Sequence, residues 1–402
     1  MGFNADTRSA AGMSWLQGVR ILDCTRLLPH AYATQMLVAL GADVIKIESP
    51  GFGDYGRGMA PTFVASNGHK RSMSLDLRSD DGKAIFRRLA DTSACVVESF
   101  RPGVMKAAGL DFETLAATNP ALVYCSASGY GQTGPYADMP GHDLNYLGVS
   151  GLSLADGTAT PALLPIPIVD MASGPFIALS IVAAIAEARH TYLGQVIDLS
   201  LFDVALSINM MGLAYSHGLS ADAASPEEHA NARLGGFPWP DILIGRCPCY
   251  GVFATSDGKF VSLGNVEEKF WMTFLKVIGL SFEAGDRFAT GEHGRQIRDQ
   301  IEARIAAQTQ EYWISAFRGQ DVCFAPVLAS QNVIDDEHVK HRGSVFVEKD
   351  RSLQIRFPGR FSVTPAREGG ASPSVGQDTT ELLAEIGYDS DDLERLRADG
   401  VI

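Results

Sequence analysis

Three titratable side chains sit in surroundings that could support chemistry. Asp170 lies in Pro165-Ile-Pro-Ile-Val-Asp170-Met-Ala-Ser-Gly174, just ahead of an apolar helical run. A carboxylate there suits a helix start, where it accepts backbone N–H donors and faces the positive end of the dipole. The same placement, after a Pro-bounded segment, keeps the group ionised and in one rotamer, which a carboxylate nucleophile attacking a carbonyl carbon requires. His142 and Asp143 occur in Pro140-Gly-His-Asp-Leu-Asn-Tyr146, directly after a turn-rich loop. A histidine beside carboxylates can titrate near neutrality and move a proton, or it can be a hydrogen-bonded structural residue. Glu267, in Gly264-Asn-Val-Glu-Glu-Lys-Phe270, fits an acid/base role or the start of a helix.

Among the cations, Arg57, Lys70, Arg71 and Arg101 follow or border strand-like segments, in loops containing Gly or Pro. Loops at strand ends are where open α/β sheets bind ligands. Two or three converging cations could hold a diphosphate or a 3′-phosphate by charge-assisted hydrogen bonds, although each alone reads more readily as a surface charge.

The elements that must position these residues alternate along the chain. Val19–Asp23, Asp43–Glu48, Ser72–Leu77, Cys95–Glu98, Val123–Ser126 and Val196–Ser200 read as strands. Tyr32–Leu40, Asp80–Leu89 and Met171–Ala188 read as helices, the first closed by Gly41. This alternation predicts an α/β fold with a parallel sheet and crossover helices. No G-x-G-x-x-G follows the first strand, so a dinucleotide cofactor is not expected. Leu219–Pro240 is polar and broken, and is expected to cross between domains. Tyr250–Phe253 and Phe260–Leu263 flank Ser256-Asp257-Gly258, a hairpin signal. Helical patterns follow over Glu268–Val277 and Gly294–Ala307, and the tail from Ser352 ends in a helix at Asp378–Ile386. The expected domains are 1–220, a smaller one at 221–335, and a segment at 336–402 returning to the first.

The 402 residues carry a formal net charge of −14, which argues against general binding to nucleic acid or an anionic membrane. An anionic ligand would need a local cationic cluster working against that field. Of the six cysteines, Cys24, Cys95, Cys125 and Cys323 stand in apolar runs and are expected to be buried thiols; Cys247-Pro-Cys249 has no metal-site spacing. A reduced cytoplasm is expected, with no metal. The amino-terminal MGFNADTRSAAGMSW lacks the pattern of a signal peptide. The longest apolar stretch, Pro175–Ala186, is expected to be too short to span a bilayer, which takes about 20 residues.

Several motifs, in order, resemble the family III CoA-transferases, the carnitine and bile-acid CoA-transferase (CaiB/BaiF) group. They are Gly18-Val-Arg-Ile-Leu-Asp23, Ala39-Leu-Gly-Ala-Asp-Val-Ile-Lys-Ile-Glu48, Phe100-Arg-Pro-Gly-Val-Met105 and Ser128-Gly-Tyr-Gly-Gln-Thr-Gly-Pro135. The Asp170 segment, Gly194-Gln-Val-Ile-Asp198 and Asp321-Val-Cys-Phe-Ala-Pro-Val327 continue them. The resemblance implies a Rossmann-like large domain with a parallel sheet, a smaller α+β domain, and an interlocked homodimer. It implies acyl-CoA and carboxylic acid substrates, with coenzyme A carried by the substrates and no permanently bound cofactor. It also implies a catalytic aspartate at Asp170, which forms an anhydride and then an aspartyl-CoA thioester. Loops around Lys46, Glu48, Arg71 and Arg101 would meet the adenosine phosphates.

One branch of the superfamily, the α-methylacyl-CoA racemases, instead uses a histidine and an aspartate to move the proton beside the thioester carbonyl. Gly-His142-Asp143-Leu-Asn-Tyr and Gly-Asn-Val-Glu267 resemble that branch, with His142 and Asp170 as the acid/base pair. The racemases have Asn four residues before the aspartate, where this chain has Ile166, and the Asp170 segment is closer to the transferase pattern. Where formyl-CoA transferase-like members have Gln-Ala-Gly-Pro after the first strand, this chain reads Leu28-Pro-His-Ala31. Leu27, Leu28, Tyr32, Met210 and Met211 hint at a larger or more apolar acyl group, or at core packing.

Overall fold

The computed structural model describes residues 14–152, 163, 165–214, 239–348 and 352–402. Six strands, β1 (Arg20–Cys24), β2 (Asp43–Glu48), β3 (Arg71–Ser74), β4 (Cys95–Glu98), β5 (Val123–Ser128) and β6 (Val196–Ser200), make one sheet. Its order is β3-β2-β1-β4-β5-β6, with every neighbouring pair parallel. That is the order of the doubly wound Rossmann architecture, and it reverses direction between β1 and β4.

Strand alternation divides the core into two layers. Ile21, Val44, Val97 and Cys125 point to one face and pack under α1 (His30–Ala39) and the long α7 (Ile168–Thr191). Leu22, Ile45, Val96 and Tyr124 point to the other face. There they meet α3 (Asp80–Ala90) and the carboxyl-terminal helices Thr379–Glu385 and Ser390–Ala398, through Leu382 and Leu396. Shorter helices α2 (Ala60–Ser66), α4 (Val104–Ala107), α5 (Phe112–Ala116), α6 (Asp143–Val149) and α8 (Leu201–Ile208) complete the connections.

The described residues divide into two compact units. Residues 14–152, 163–210 and 337–402 belong to the first, and residues 211–336 to the second. In the second, β7 (Tyr250–Ala254) and β8 (Phe260–Gly264) form an antiparallel hairpin, joined by antiparallel β9 (Phe324–Val327). Trp271, Phe274, Trp313 and Phe317 build its core. Returning to the first unit, β10 (Val345–Val347) and β11 (Leu353–Ile355) form a small antiparallel hairpin. Of the polar crossing expected at Leu219–Pro240, residues 219–238 lie outside the described residues, as does the amino-terminal stretch to residue 13.

Two sequence expectations are corrected here. Helix α7 has 24 residues and is long and apolar enough to cross a membrane, because it runs past Glu187 at one end and starts before Pro175 at the other. It is nonetheless a core helix on one side, with Val169, Ile177, Ile181 and Ile185 buried. Cys323 is exposed, since the apolar run around it is the start of an outer strand of the three-stranded sheet; the other five cysteines are buried, and none of the six forms a disulfide.

Candidate active site

Helix α7 begins at Ile168 after Pro167, whose side chain cannot cap it. Asp170 is therefore the third residue of the helix and not its cap. The cap comes from another element. Asp143, the first residue of α6, accepts the backbone N–H groups of Val169 and Asp170 on one oxygen, at 2.7 and 3.1 Å. Asp170 is half-buried, and burial, with the Asp143 charge adding to it, pushes its carboxyl up to about 7. The expectation of a carboxylate kept fully ionised by the helix start is thus corrected: desolvation and a neighbouring like charge outweigh the dipole. Tyr146, on the following turn of α6, is pushed up to about 12 by burial and then by Asp170. Its hydroxyl donates to the Gly141 carbonyl at 2.8 Å, which ties down the loop ahead of the helix.

His142 occupies the residue before α6, exposed, and its backbone N–H donates to Asn145 Oδ1 at 2.9 Å. It is next in sequence to the carboxylate that caps α7, so α6 brings the His142-Asp143 pair to the start of the Asp170 helix. Glu267 belongs to the second unit, as the exposed residue ahead of helix Glu268–Ile278.

The loop after β1 and the start of α1 pack against α7 at Gly174. Gly174 meets α1 so closely that a Cβ on it would fall 2.7 Å from the Tyr32 ring, which explains a glycine inside the first turns of an apolar helix. His30 is buried with Nε2 facing the Ala127 carbonyl at 3.1 Å, and burial lowers its pKa to about 4, so it is neutral. Leu27 takes a left-handed conformation (φ 59°), which costs an ordinary side chain about 1–2 kcal/mol. Asp54 holds it there by accepting its N–H at 3.2 Å.

Most of the cations singled out in the sequence are structural members of this loop's support. Lys46 is fully buried, donates to the Thr25 carbonyl at 3.0 Å, and pairs with Asp54 at 2.7 Å. Burial alone would lower its pKa, but Asp23 and Asp54 outweigh that and hold it above the usual range. Lys70 is buried against Asp23 (3.2 Å), Thr34 and Asn67, and burial lowers its ammonium to about 8. Glu48 and Arg57 form a two-pronged pair at 2.8 and 2.6 Å, with Ser72 also donating to Glu48. Arg71 opens β3 at its amino end and pairs with Asp43, Glu381 and Glu385. These placements correct the phosphate-binding expectation for Lys46, Lys70 and Arg71. The first two are sealed from solvent, and the third is at the wrong end of its strand. Glu48 and Arg57 are bonded to each other, though Glu48 also borders the crevice described next.

That crevice, of about 550 Å³, opens where the strand order reverses, at the carboxyl ends of β1 to β4. Arg26, Arg78 and Lys83 line it with Tyr55 and Phe100. The Arg26 guanidinium stands 5.2 Å from both ring centroids, a cation held between two aromatic rings. Arg78 pairs with Asp76 and Lys83 with Asp80, both at the surface. Arg101, exposed, follows β4 on the same side of the sheet. Sequence reading missed Arg26, Arg78 and Lys83. The available signal was their place just after β1, after β3 and in the first turn of α3, at the ligand end of the strands.

The geometry combines a crevice with cations at a topological switch point and a half-buried carboxylate on a neighbouring helix start. Comparison with known proteins matches the sequence and the fold to one group. Residues 16–379 match the model of CoA-transferase family III. Human alpha-methylacyl-CoA racemase is 30% identical over 397 residues, covering 96% of this chain and 97% of the relative. Succinate–glutarate CoA-transferase of Agrobacterium fabrum is 31% identical over 401 residues, covering 92% and 95%. The crystal structure of a CAIB/BAIF family protein from Brucella suis superposes with a TM-score of 0.76 at 28% identity, covering 93% of this chain and 99% of that one. With the family's model covering nearly the whole length and a six-stranded parallel sheet in place, the chain belongs to CoA-transferase family III.

Proposed function

We propose that this protein moves coenzyme A from an acyl-CoA donor to a carboxylic acid acceptor, with Asp170 as nucleophile. The observation that carries the reading is the Asp170 carboxyl itself, half-buried in the first turn of α7 beside Asp143. The ionised fraction of a carboxylate with little water around it is a stronger nucleophile than a hydrated one. A carboxylate oxygen attacks the thioester carbonyl, the C–S bond breaks, and a mixed anhydride and CoA thiolate result. The thiolate attacks the aspartyl carbonyl of the anhydride, which releases the donor acid and leaves an aspartyl-CoA thioester. The acceptor carboxylate then attacks that thioester to give a second anhydride and free thiolate. Attack of the thiolate on the acceptor's acyl carbonyl yields the new acyl-CoA and restores Asp170. The crevice lined by Arg26, Arg78 and Lys83 would take the nucleotide end of CoA.

The proposal includes an interlocked homodimer in the cytoplasm. Apolar side chains left exposed on α7, Phe176 at 38% and Leu179 at 65%, support a covered face, and six cysteines outside any disulfide fit a reducing compartment.

A second reading, α-methylacyl-CoA racemisation with His142 and Asp170 as acid/base pair, draws support from one observation. A carboxyl titrating near 7 suits proton transfer at neutral pH. Incubation with a 2-methylacyl-CoA in deuterium oxide, without acceptor acid, separates the two. Transfer predicts no label at the α-carbon, and hydroxylamine inactivation only when an acyl-CoA is present. Label at the α-carbon with no such inactivation would overturn the transferase reading in favour of the racemase.

A further inference from the structure

The first unit holds a second cavity, of about 720 Å³, between α1, α2 and the hairpin β10–β11. Met171, the residue after Asp170, forms part of its wall with Leu28. Tyr32, Met36, Val64 and Phe357 continue an apolar lining. The chain from Thr25 to Leu28 parts the two cavities: Thr25 and Arg26 border the cationic crevice, whereas Leu28 borders the apolar one. A substrate with a charged nucleotide end and an apolar end would therefore find complementary surfaces on either side of one short loop, beside the helix start that carries Asp170.

The cavity's size is that of a pocket enclosing a sizeable ligand, well beyond what a two- or four-carbon acyl group fills. Its lining offers little to a second carboxylate. Of two arginines at its rim, Arg356 already pairs with Glu368 at 2.8 Å, and Arg367 is exposed. A carboxylate placed among the apolar side chains would lose its hydration without a buried partner. We propose that this cavity binds the acyl chain, and that the substrates are extended apolar monocarboxylic acyl-CoA esters and not short dicarboxylic ones. The inference rests on the CoA-thioester reading above, and names its substrate class.

The test is a calorimetric titration of the purified full-length protein with unreactive thioether analogues: S-ethyl-, S-butyl- and S-octyl-CoA, S-(7-carboxyheptyl)-CoA, and CoA itself. Each buried methylene is worth about fourfold in affinity. With about half the added methylenes buried, S-octyl-CoA binds roughly thirtyfold or more tightly than S-ethyl-CoA. The carboxylate-tipped analogue binds more weakly than S-octyl-CoA. Ala65→Phe, which fills the cavity from α2, cuts the octyl-to-ethyl affinity ratio at least tenfold; Val64→Trp does the same should the first variant fold poorly. Equal affinities along the series, or preference for the carboxylate-tipped chain, would overturn the substrate class while binding of CoA itself left the transferase reading standing. A length dependence untouched by both variants would place the chain elsewhere. A ratio unchanged while a dimer falls apart would assign the cavity to a second copy of this chain. No binding of CoA or any analogue would overturn both readings together.

Discussion

At the residue scale, Asp143 and Asp170 share one helix start. Asp143 stabilises α7 by capping two of its N–H groups, and its charge disfavours a second negative charge on Asp170. Burial is the larger cause of Asp170's raised pKa, and Asp143 the smaller. Asp143→Asn keeps an oxygen for the two N–H groups and removes only the charge. It should move the midpoint of the rise in kcat/KM with pH downward from about 7, by roughly one pH unit. A midpoint that did not move would show that the two carboxyls do not interact. The same shift has a consequence for stability. With a folded pKa near 7 and an unfolded one near the ordinary aspartate value of 3.8, the folded state binds more protons between those limits. Stability therefore falls as pH rises through that window, and the full cost of charging Asp170 is present above about 7. Asp170→Asn should melt a few degrees higher than the parent at pH 8, with the difference shrinking toward pH 4, in scans at both pH values. A variant equally stable to the parent at pH 8 would refute the buried-charge description.

At the element scale, the β1 loop is set by a buried ionic frame. Lys46, Asp54, Asp23 and Lys70 are all within 4% of full burial, and they fix Thr25 and Leu27 through Lys46 and Asp54. Lys46→Met would leave Asp54 buried without its partner, at a cost of about 3–5 kcal/mol in urea unfolding. A loss under 1 kcal/mol would mean that the frame is dispensable. The sequence marked much of this architecture. Asp43–Glu48, Cys95–Glu98 and Val196–Ser200 carry their strand bounds openly, because apolar β-branched runs between turn residues admit few alternatives. Short helices such as Asp143–Val149 and Ser390–Ala398 were missed. The first is a single-sided turn held by tertiary contacts, and the second is mostly charged, with Leu393 and Leu396 as its buried residues. Asp170 stands out in the sequence as a candidate because its motif is local. The roles of Lys46, Lys70 and Arg71 do not, since burial and strand direction decide whether a cation meets ligand or partner carboxylate. Arg26 was overlooked for the same reason in reverse.

At the scale of the whole molecule, the proposed binding of a polyanionic CoA ester by a chain of net charge −14 calls for a local cationic patch, and the proposed dimer would cover the apolar side chains that α7 leaves exposed. Sedimentation at micromolar concentration should report a dimer, and Leu179→Glu should raise the monomer fraction or cause aggregation; a parent protein sedimenting as monomer would contradict the covered face. In the proposed function a single carboxylate carries coenzyme A between two acids. That claim meets its most direct test in mass spectrometry of the protein mixed with an acyl-CoA and no acceptor. The account predicts a CoA-sized increase on the peptide containing Asp170, discharged by adding a carboxylic acid and absent from Asp170→Asn. An adduct on another residue, or Asp170→Asn protein that keeps transferring CoA at the parent rate, would contradict it.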